Sequence, residues 1–354
     1  MEARQTRIQY MTLRYLFWVI CLLLSLQHSV HAGPAILYNP DNDKVLYAED
    51  IDRPWHPASV TKIMTAYVTF DAIKAGRFTL TSKIPYSKLA SKMPASKIGM
   101  KTGSKISIEF ALKALIIKSA NDIAVALAEA VGGSHDRFVA QMNATAKRLG
   151  MTRTTYVNPN GLPSPKQVTT ARDLALLTKA VIREYPQHAH YWTMPVMRVG
   201  NRGLRSHNSL LRTFYGADGI KTGFICDSGY NVVASATRDN LRLIAIVLGE
   251  QTPGRRARRA GSLLEHGFQT YAWKIHFGAP SLATLPVSDD YLKPISIRRT
   301  IPITACGGRR YSPSKIKKVK AHKKKQVKKS KAQTKQPAAA APKAFNPQSV
   351  FNKR

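Results

Sequence analysis

Residues 57–75 read PASVTKIMTAYVTFDAIKA, and the interpretation of the whole chain starts there. Ile63, Met64, Tyr67, Val68 and Ile73 recur at roughly helical spacing until Gly76 stops the run, so a buried helix is expected to begin near Ser59. Ser59 and Lys62 stand three residues apart at that start, on one face, where the lysine amine can accept the serine proton. The positive end of the helix favours negative charge beside Ser59. The spacing alone decides little, because Ser312/Lys315 and Ser314/Lys317 also satisfy S-x-x-K.

Upstream, residues 35–48 (AILYNPDNDKVLYA) form two short β-rich runs around a polar turn, a hairpin signal. Downstream, residues 108–131 form two helical runs interrupted at Ser119-Ala120-Asn121. Residues 134–149 form another helix, ending at Gly150, and Thr169–Arg183 has the pattern of a capped helix. Then the period changes. GIKTGFI, NVVASATR and LRLIAIVLG are short strand-like stretches separated by Gly, Asp and Asn, and ARRAGSLLEHGFQTYAW closes as a helix. This order predicts an α+β domain in which the first and last strands share one antiparallel sheet packed with helices, beside an all-helical subdomain.

Two further triplets follow Ser59 in order. Ser119-Ala120-Asn121 fits S-x-N between helical runs, and Lys221-Thr222-Gly223 fits K-T-G at the start of a strand. Each has a second match, Ser206-His207-Asn208 and Lys101-Thr102-Gly103, so the ordered set of three is the specific signal.

The 354 residues include 55 Lys+Arg against 20 Asp+Glu, a net charge of +35. Such a balance brings nucleic acid, anionic lipid or a polyanionic matrix into consideration as partners. Its location divides the chain. Arg4, Arg7 and Arg14 precede the apolar run Leu16–Leu26 and a Val30-His31-Ala32 site, the pattern of a signal peptide (1–32) cut after Ala32; an uncleaved anchor is the alternative. Residues 307–354 hold 16 Lys+Arg and no acid, which predicts a disordered tail. Removing the tail's +16 and the leader's +2 leaves +17 on residues 33–306. An exported protein is expected, in the periplasm or at the outer face of the cytoplasmic membrane, with no nucleic acid as partner. Of three cysteines Cys21 leaves with the leader; Cys226 reads as a buried inert thiol, while pairing with Cys306 stays open. No H-E-x-x-H, P-loop or G-x-G-x-x-G pattern is present, and neither cofactor nor metal is implied.

With these motifs in place, the chain resembles the serine D-alanyl-D-alanine carboxypeptidases, the low-molecular-mass penicillin-binding proteins. PASVTKIMTAYV, LIIKSANDIAVALAEAVGGS, FVAQMNATAKRLGMTRTTYVNPNGL, TTARDLALL, HNSLLRTFYGADGIKTGF and SGYN carry the likeness, from about Ile36 to Phe268. It implies a β-lactamase/transpeptidase-like fold with a catalytic domain over 33–270. It also implies Ser59 as acylated nucleophile, Lys62 as its base, Ser119 as proton relay and Asn121 as a ligand of the substrate peptide. Lys221 and Thr222 would bind the terminal carboxylate, Gly223 would leave room for substrate, and the N–H groups of Ser59 and Phe224 would form the oxyanion hole. Arg256 is matched to a carboxylate-binding arginine, with Arg255 and a merely solvated face as alternatives. Asp173 is read as a structural acid near a helix start.

The substrates so implied are peptidoglycan stem peptides, with β-lactams as covalent inhibitors. β-Lactamase and endopeptidase activities use the same set, although Glu129, Asp136, Asp173, Glu184 and Asp218 sit in no deacylating motif. The likeness departs at residues 271–306, a short β-like extension in place of a second domain, and in the tail, which lacks an apolar face. Electrostatic contact of the tail with anionic membrane or envelope polymer is expected instead.

Overall fold

The N-terminal β-rich runs pair as a hairpin in the computed structural model, which describes residues 33–290 and 293–307. Ala35–Tyr38 (β1) and Val45–Glu49 (β2) are antiparallel, and Asn39 closes their turn by accepting from the N–H of Asp41. Lys83–Pro85 (β3) with Lys105–Ser107 (β4), and Val196–Val199 (β5) with Arg202–Arg205 (β6), form two small ribbons. Ala217–Ile225 (β7), Gly229–Arg238 (β8) and Leu241–Glu250 (β9) join the first hairpin in a five-stranded sheet of order β2-β1-β9-β8-β7. The first and last strands do share one sheet: β1 lies against β9, Ala35 opposite Val247 and Tyr38 opposite Ile244.

Both faces of this sheet are covered, which explains why LRLIAIVLG is a nearly continuous apolar run. Ile244, Ile246 and Leu248 enter a core shared with the helices Lys62–Lys74 (α1), Asn121–Gly132 (α2), His135–Arg148 (α3) and Ala171–Glu184 (α4). Leu243, Ala245 and Val247 face the other way, against Ala260 and Leu264 of the long helix Pro253–His276 (α5). Hydroxyl caps start three of these helices: Ser134 accepts from Arg137 N, Thr170 from Asp173 N and Thr252 from Arg255 N. Each such cap is worth about 1 kcal/mol. No described helix is long and apolar enough to cross a membrane.

Four departures from the sequence reading bear on the site. Ala58–Thr61 is a 3₁₀ turn, so Ser59 stands just ahead of α1. The break in residues 108–131 is a wide π-turn at Ala114–Lys118 followed by Ser119 at φ +60°. Among the described residues of 271–306 the expected β-like pieces do not form strands: α5 runs on to His276, and Ser281 makes a single bridge, to Lys44. Pro280, Pro286, Pro294 and Pro302 deny this stretch a continuous ladder, and its apolar residues Leu282 and Ile301 are buried singly against the body. Cys226 is no free thiol, since it is bonded to Cys306 across 80 residues. The pairing depends on the extension folding back over the β7–β8 turn, where Ile297 N donates to Asp227 O at 3.0 Å. The chain separates into two units, Met1–Cys306 and Gly307–Arg354. The expected leader lies outside the described residues, as does the basic tail beyond Gly307.

Candidate active site

The turn bearing Ser59 is pressed into place by backbone from two sides and tied by one side chain. Ala58 is held at φ +48°. Gly161, at φ +79°, packs so tightly on it that a Cβ would fall 1.8 Å from the Ala58 carbonyl oxygen. On the sheet side, a Cβ at Gly223 of β7 would meet Pro57 O at 2.8 Å and Ser59 N at 2.9 Å. Asn231 of β8 ties the approach to the turn, donating to His56 O at 3.0 Å and Pro57 O at 3.3 Å while accepting from Gly249 N.

Lys62 begins α1 and is fully buried. Its Nζ lies 2.9 Å from Ser59 Oγ, 2.8 Å from Asn121 Oδ1 and 2.6 Å from the Asn160 carbonyl oxygen. Burial pushes this amine well below the ordinary lysine range; the charge of Lys221 adds to the effect and Asp122 opposes it. A neutral amine at hydrogen-bond distance from a serine hydroxyl can accept its proton.

Ser119 and Asn121 form the facing wall, where the π-turn hands over to α2. The Ser119 hydroxyl is buried with no hydrogen-bond partner among the described residues, yet it lines the cleft. Asn121 Nδ2 donates to Pro94 O at 3.1 Å and its N–H to Ser96 O at 2.7 Å. Beside them Asp122, fully buried, receives Ile98 N, Gly99 N and the Tyr86 hydroxyl. This wall therefore also holds the loop whose Ala95 and Ser96 border the cleft.

On β7, Thr222, Gly223 and Phe224 line the same cleft, of about 490 Å³, a size suited to a small ligand. Lys221 is buried, donates to Thr222 O at 3.1 Å and is pushed down to about 7 by burial and by Arg256. Arg256 is the arginine that faces the cleft: it is buried, donates to His207 O at 3.0 Å and is lowered to about 10 by burial. Arg255 is exposed and turns to Gln251 instead. Asp173 lies away from the cleft at the start of α4, accepting from Arg153 N and Thr154 Oγ1.

Sequence reading missed Asn160, Asn231, Asp122 and His207. His207 lines the cleft and is lowered to about 4, first by burial and then by Lys221, Lys118, Arg256 and Lys62. Among the described residues no group of three or more His, Cys, Asp or Glu could hold a metal ion.

This arrangement was compared with known proteins. The model of the D-alanyl-D-alanine carboxypeptidase family, peptidase S11, matches residues 24–252. The chain belongs to this family. Its relatives in the family include the D-alanyl-D-alanine carboxypeptidase DacC of Escherichia coli K12, 39% identical over 254 residues, or 69% of this chain and 62% of that protein. DacF of Bacillus subtilis 168 is 33% identical over 244 residues, 68% of this chain and 63% of that protein. A D-alanyl-D-alanine endopeptidase of Pseudomonas aeruginosa is 33% identical over 255 residues, 69% of this chain and 80% of that protein. The chain thus spans less than two thirds of the length of the two carboxypeptidases.

Among solved structures, penicillin-binding protein 5 of Haemophilus influenzae superimposes with a TM-score of 0.65 at 32% identity, covering 67% of this chain and 71% of that one. Penicillin-binding protein D2 of Listeria monocytogenes, in its cefotaxime-bound form, gives 0.62 at 31% identity over 67% and 97%. The α+β fold is that of the penicillin-binding proteins and transpeptidases.

Proposed function

We propose that this chain is a serine D-alanyl-D-alanine carboxypeptidase that removes the terminal D-Ala from peptidoglycan pentapeptides. The observation that carries the reading is the buried Lys62 amine 2.9 Å from Ser59 Oγ, in a cleft lined by a Ser119 hydroxyl that has no partner among the described residues. Lys62 takes the Ser59 proton as Oγ attacks the carbonyl carbon of the penultimate D-Ala. The N–H groups of Ser59 and Phe224 stabilise the oxyanion. Collapse breaks the peptide bond, and the departing amine gains its proton by way of Ser119. Water then cleaves the Ser59 ester. Asn121 holds the substrate peptide, while Lys221, Thr222 and Arg256 receive the free carboxylate. β-Lactams acylate the same Ser59.

Incubation with a peptide ending in Lys-D-Ala-D-Ala is expected to release free D-Ala, and Ser59→Ala to abolish both that release and the penicilloyl adduct seen by mass spectrometry. Full activity of Ser59→Ala would overturn the mechanism. The pair Lys221 and Arg256 favours a free C-terminal carboxylate over an internal cross-link; the endopeptidase relative supports cleavage of cross-links as the second reading. Among the described residues no Asp or Glu lines the cleft, which favours a long-lived penicilloyl enzyme over a β-lactamase.

The accompanying domain reading is a signal peptide over 1–32, a catalytic domain over 33–270, an extension over 271–306 and a basic tail. It puts the enzyme in the periplasm or at the outer face of the cytoplasmic membrane, in peptidoglycan remodelling and cell shape. The tail would contact anionic lipid or envelope polymer. Gly33 as the N-terminus of the exported protein, and membrane co-sedimentation that is lost with added salt, are the expected outcomes.

A further inference from the structure

The mouth of the cleft is bordered by two segments that contain no acidic residue: nothing between Asp71 and Glu109, and nothing between Glu184 and Asp218, is Asp or Glu. The first supplies the loop of Ala95 and Ser96, pinned to the catalytic wall by Asn121 N on Ser96 O (2.7 Å) and Ser96 Oγ on Lys118 O (2.9 Å). That loop exposes Lys92 and Lys97. The second supplies the β5–β6 ribbon, which packs on the Ala114–Lys118 turn and runs directly into His207 at the cleft. Its register sets Met197 opposite Leu204 and Val196 opposite Arg205. Met197 is buried, so Arg198 and Arg205 share the solvent face.

Lys92, Lys97, Lys118, Arg198 and Arg205 have no acidic ion-pair partner among the described residues. Elsewhere on the body carboxylates are engaged by cations, as in Arg172–Asp52, Arg238–Glu265 and Arg259–Glu49. Like charges gathered without counter-charge raise a positive potential at that spot, and a cleft focuses it. Thr222 and Arg256 line the cleft and, with the buried Lys221, are assigned to one carboxylate, so these five cations are surplus to a single peptide terminus.

We propose that this cationic rim binds further carboxylates of the polymer that presents the scissile peptide, so that the enzyme prefers peptidoglycan strands bearing many peptides over a free pentapeptide. The inference rests on the carboxypeptidase reading above. A polymer is favoured over an unrelated polyanion because the rim belongs to the same loops that border the cleft, which makes its ligand contiguous with the substrate.

The test compares the full-length rim variant Lys97→Glu/Arg205→Glu with a control of equal net charge, Lys74→Glu/Lys147→Glu, altered at exposed positions on α1 and α3. D-Ala release is measured on the soluble peptide and on purified pentapeptide-rich sacculi free of lipid and accessory polymers, at low and moderate salt. The rim variant is expected to stay within twofold of wild type on the peptide. On sacculi its initial rate at low salt should fall about tenfold while the control holds, and the salt dependence should flatten. Equal losses by rim and control on sacculi, or equal losses by the rim variant on both substrates, would overturn the proposal. Should wild type release no D-Ala from either substrate, the carboxypeptidase reading fails instead, and retention on sacculi then judges the rim: loss confined to the rim variant supports it, and retention equal to the control overturns it. Rim-dependent binding of phosphatidylglycerol vesicles without any on sacculi would reassign the surface to a membrane and overturn the commitment to a peptide polymer.

Discussion

The two walls of the cleft are held by opposite means. On the helical side Ser59, Asn121 and Asn160 come from three separate segments and converge on one nitrogen, Lys62 Nζ, at 2.9, 2.8 and 2.6 Å. On the sheet side β7 is held by its ladder to β8, from Ala217 opposite Ala236 to Ile225 opposite Gly229, and Lys221 donates to the carbonyl of its neighbour. A ladder positions a strand through backbone groups, whatever side chains it carries. A network hung on one buried side chain fails when that side chain goes. Helical-wall variants should therefore lose fold stability and chemistry together, and sheet-wall variants should lose substrate with the fold intact.

Lys62→Met tests the helical wall and carries the largest expected effect. It removes the base and leaves Asn121 Oδ1 and the Asn160 carbonyl short of a donor. Acylation by penicillin should slow by about 10²- to 10⁴-fold, and stability should fall by about 1–3 kcal/mol for the orphaned acceptors. An unchanged melting temperature would show that the network does not hold this wall.

Gly223→Ala probes the point where the walls touch, where a ladder's tolerance of side chains ends. A methyl group 2.8 Å from Pro57 O and 2.9 Å from Ser59 N must displace the nucleophile's turn. Misplacement on that scale costs about 100-fold in rate. Stopped-flow acylation alongside circular dichroism would separate lost alignment from lost fold.

Lys221→Gln should raise KM for a carboxylate-terminated peptide about tenfold, the scale of a charge-assisted hydrogen bond, with no change in melting temperature. It also carries a pH signature. The Lys221 charge disfavours protonated Lys62, so its removal lets the Lys62 pKa rise. The acid limb of the acylation pH profile, where Lys62 must lose its proton, should then move to higher pH; a shift to lower pH would contradict this coupling.

Cys306→Ser has the smallest expected effect on chemistry. The Cys226–Cys306 bond closes an 80-residue loop beside the end of β7, and in chain-entropy terms its loss costs about 4 kcal/mol of stability. Penicillin acylation should nevertheless stay within twofold of wild type, because the ladder still places β7. A tenfold fall would mean that the extension, rather than the ladder, positions the sheet wall.

Much of this architecture was legible in the chain. The period change at residue 219, the bounds of α3 and α4 and the break at Ser119 are local signals, and each coincides with an observed element boundary or interruption to within a residue or two. The strand-like pieces of 271–306 misled because short apolar runs look alike whether they pair or dock singly, and the prolines decided for docking. Asn160, Asn231 and His207 escaped notice for another reason. Their contacts reach Lys62, Pro57 and Arg256 across 98, 174 and 49 residues, and nothing near them in sequence marks those partners.

By itself the sequence determined the order of the main helices and of the five strands of the large sheet, the two acid-free segments and the three triplets, since helical period, strand period and the Ser59–Lys62 spacing are properties of neighbouring residues. Only the tertiary structure decided that Arg256 rather than Arg255 faces the cleft, that Cys226 is bonded to Cys306, and that the Ser119 hydroxyl has no partner among the described residues. Those outcomes depend on which distant segments meet, and burial then acts on the groups it encloses: it strips water from Lys62 and Lys221 and pushes both amines down, a change of chemistry that no local pattern encodes.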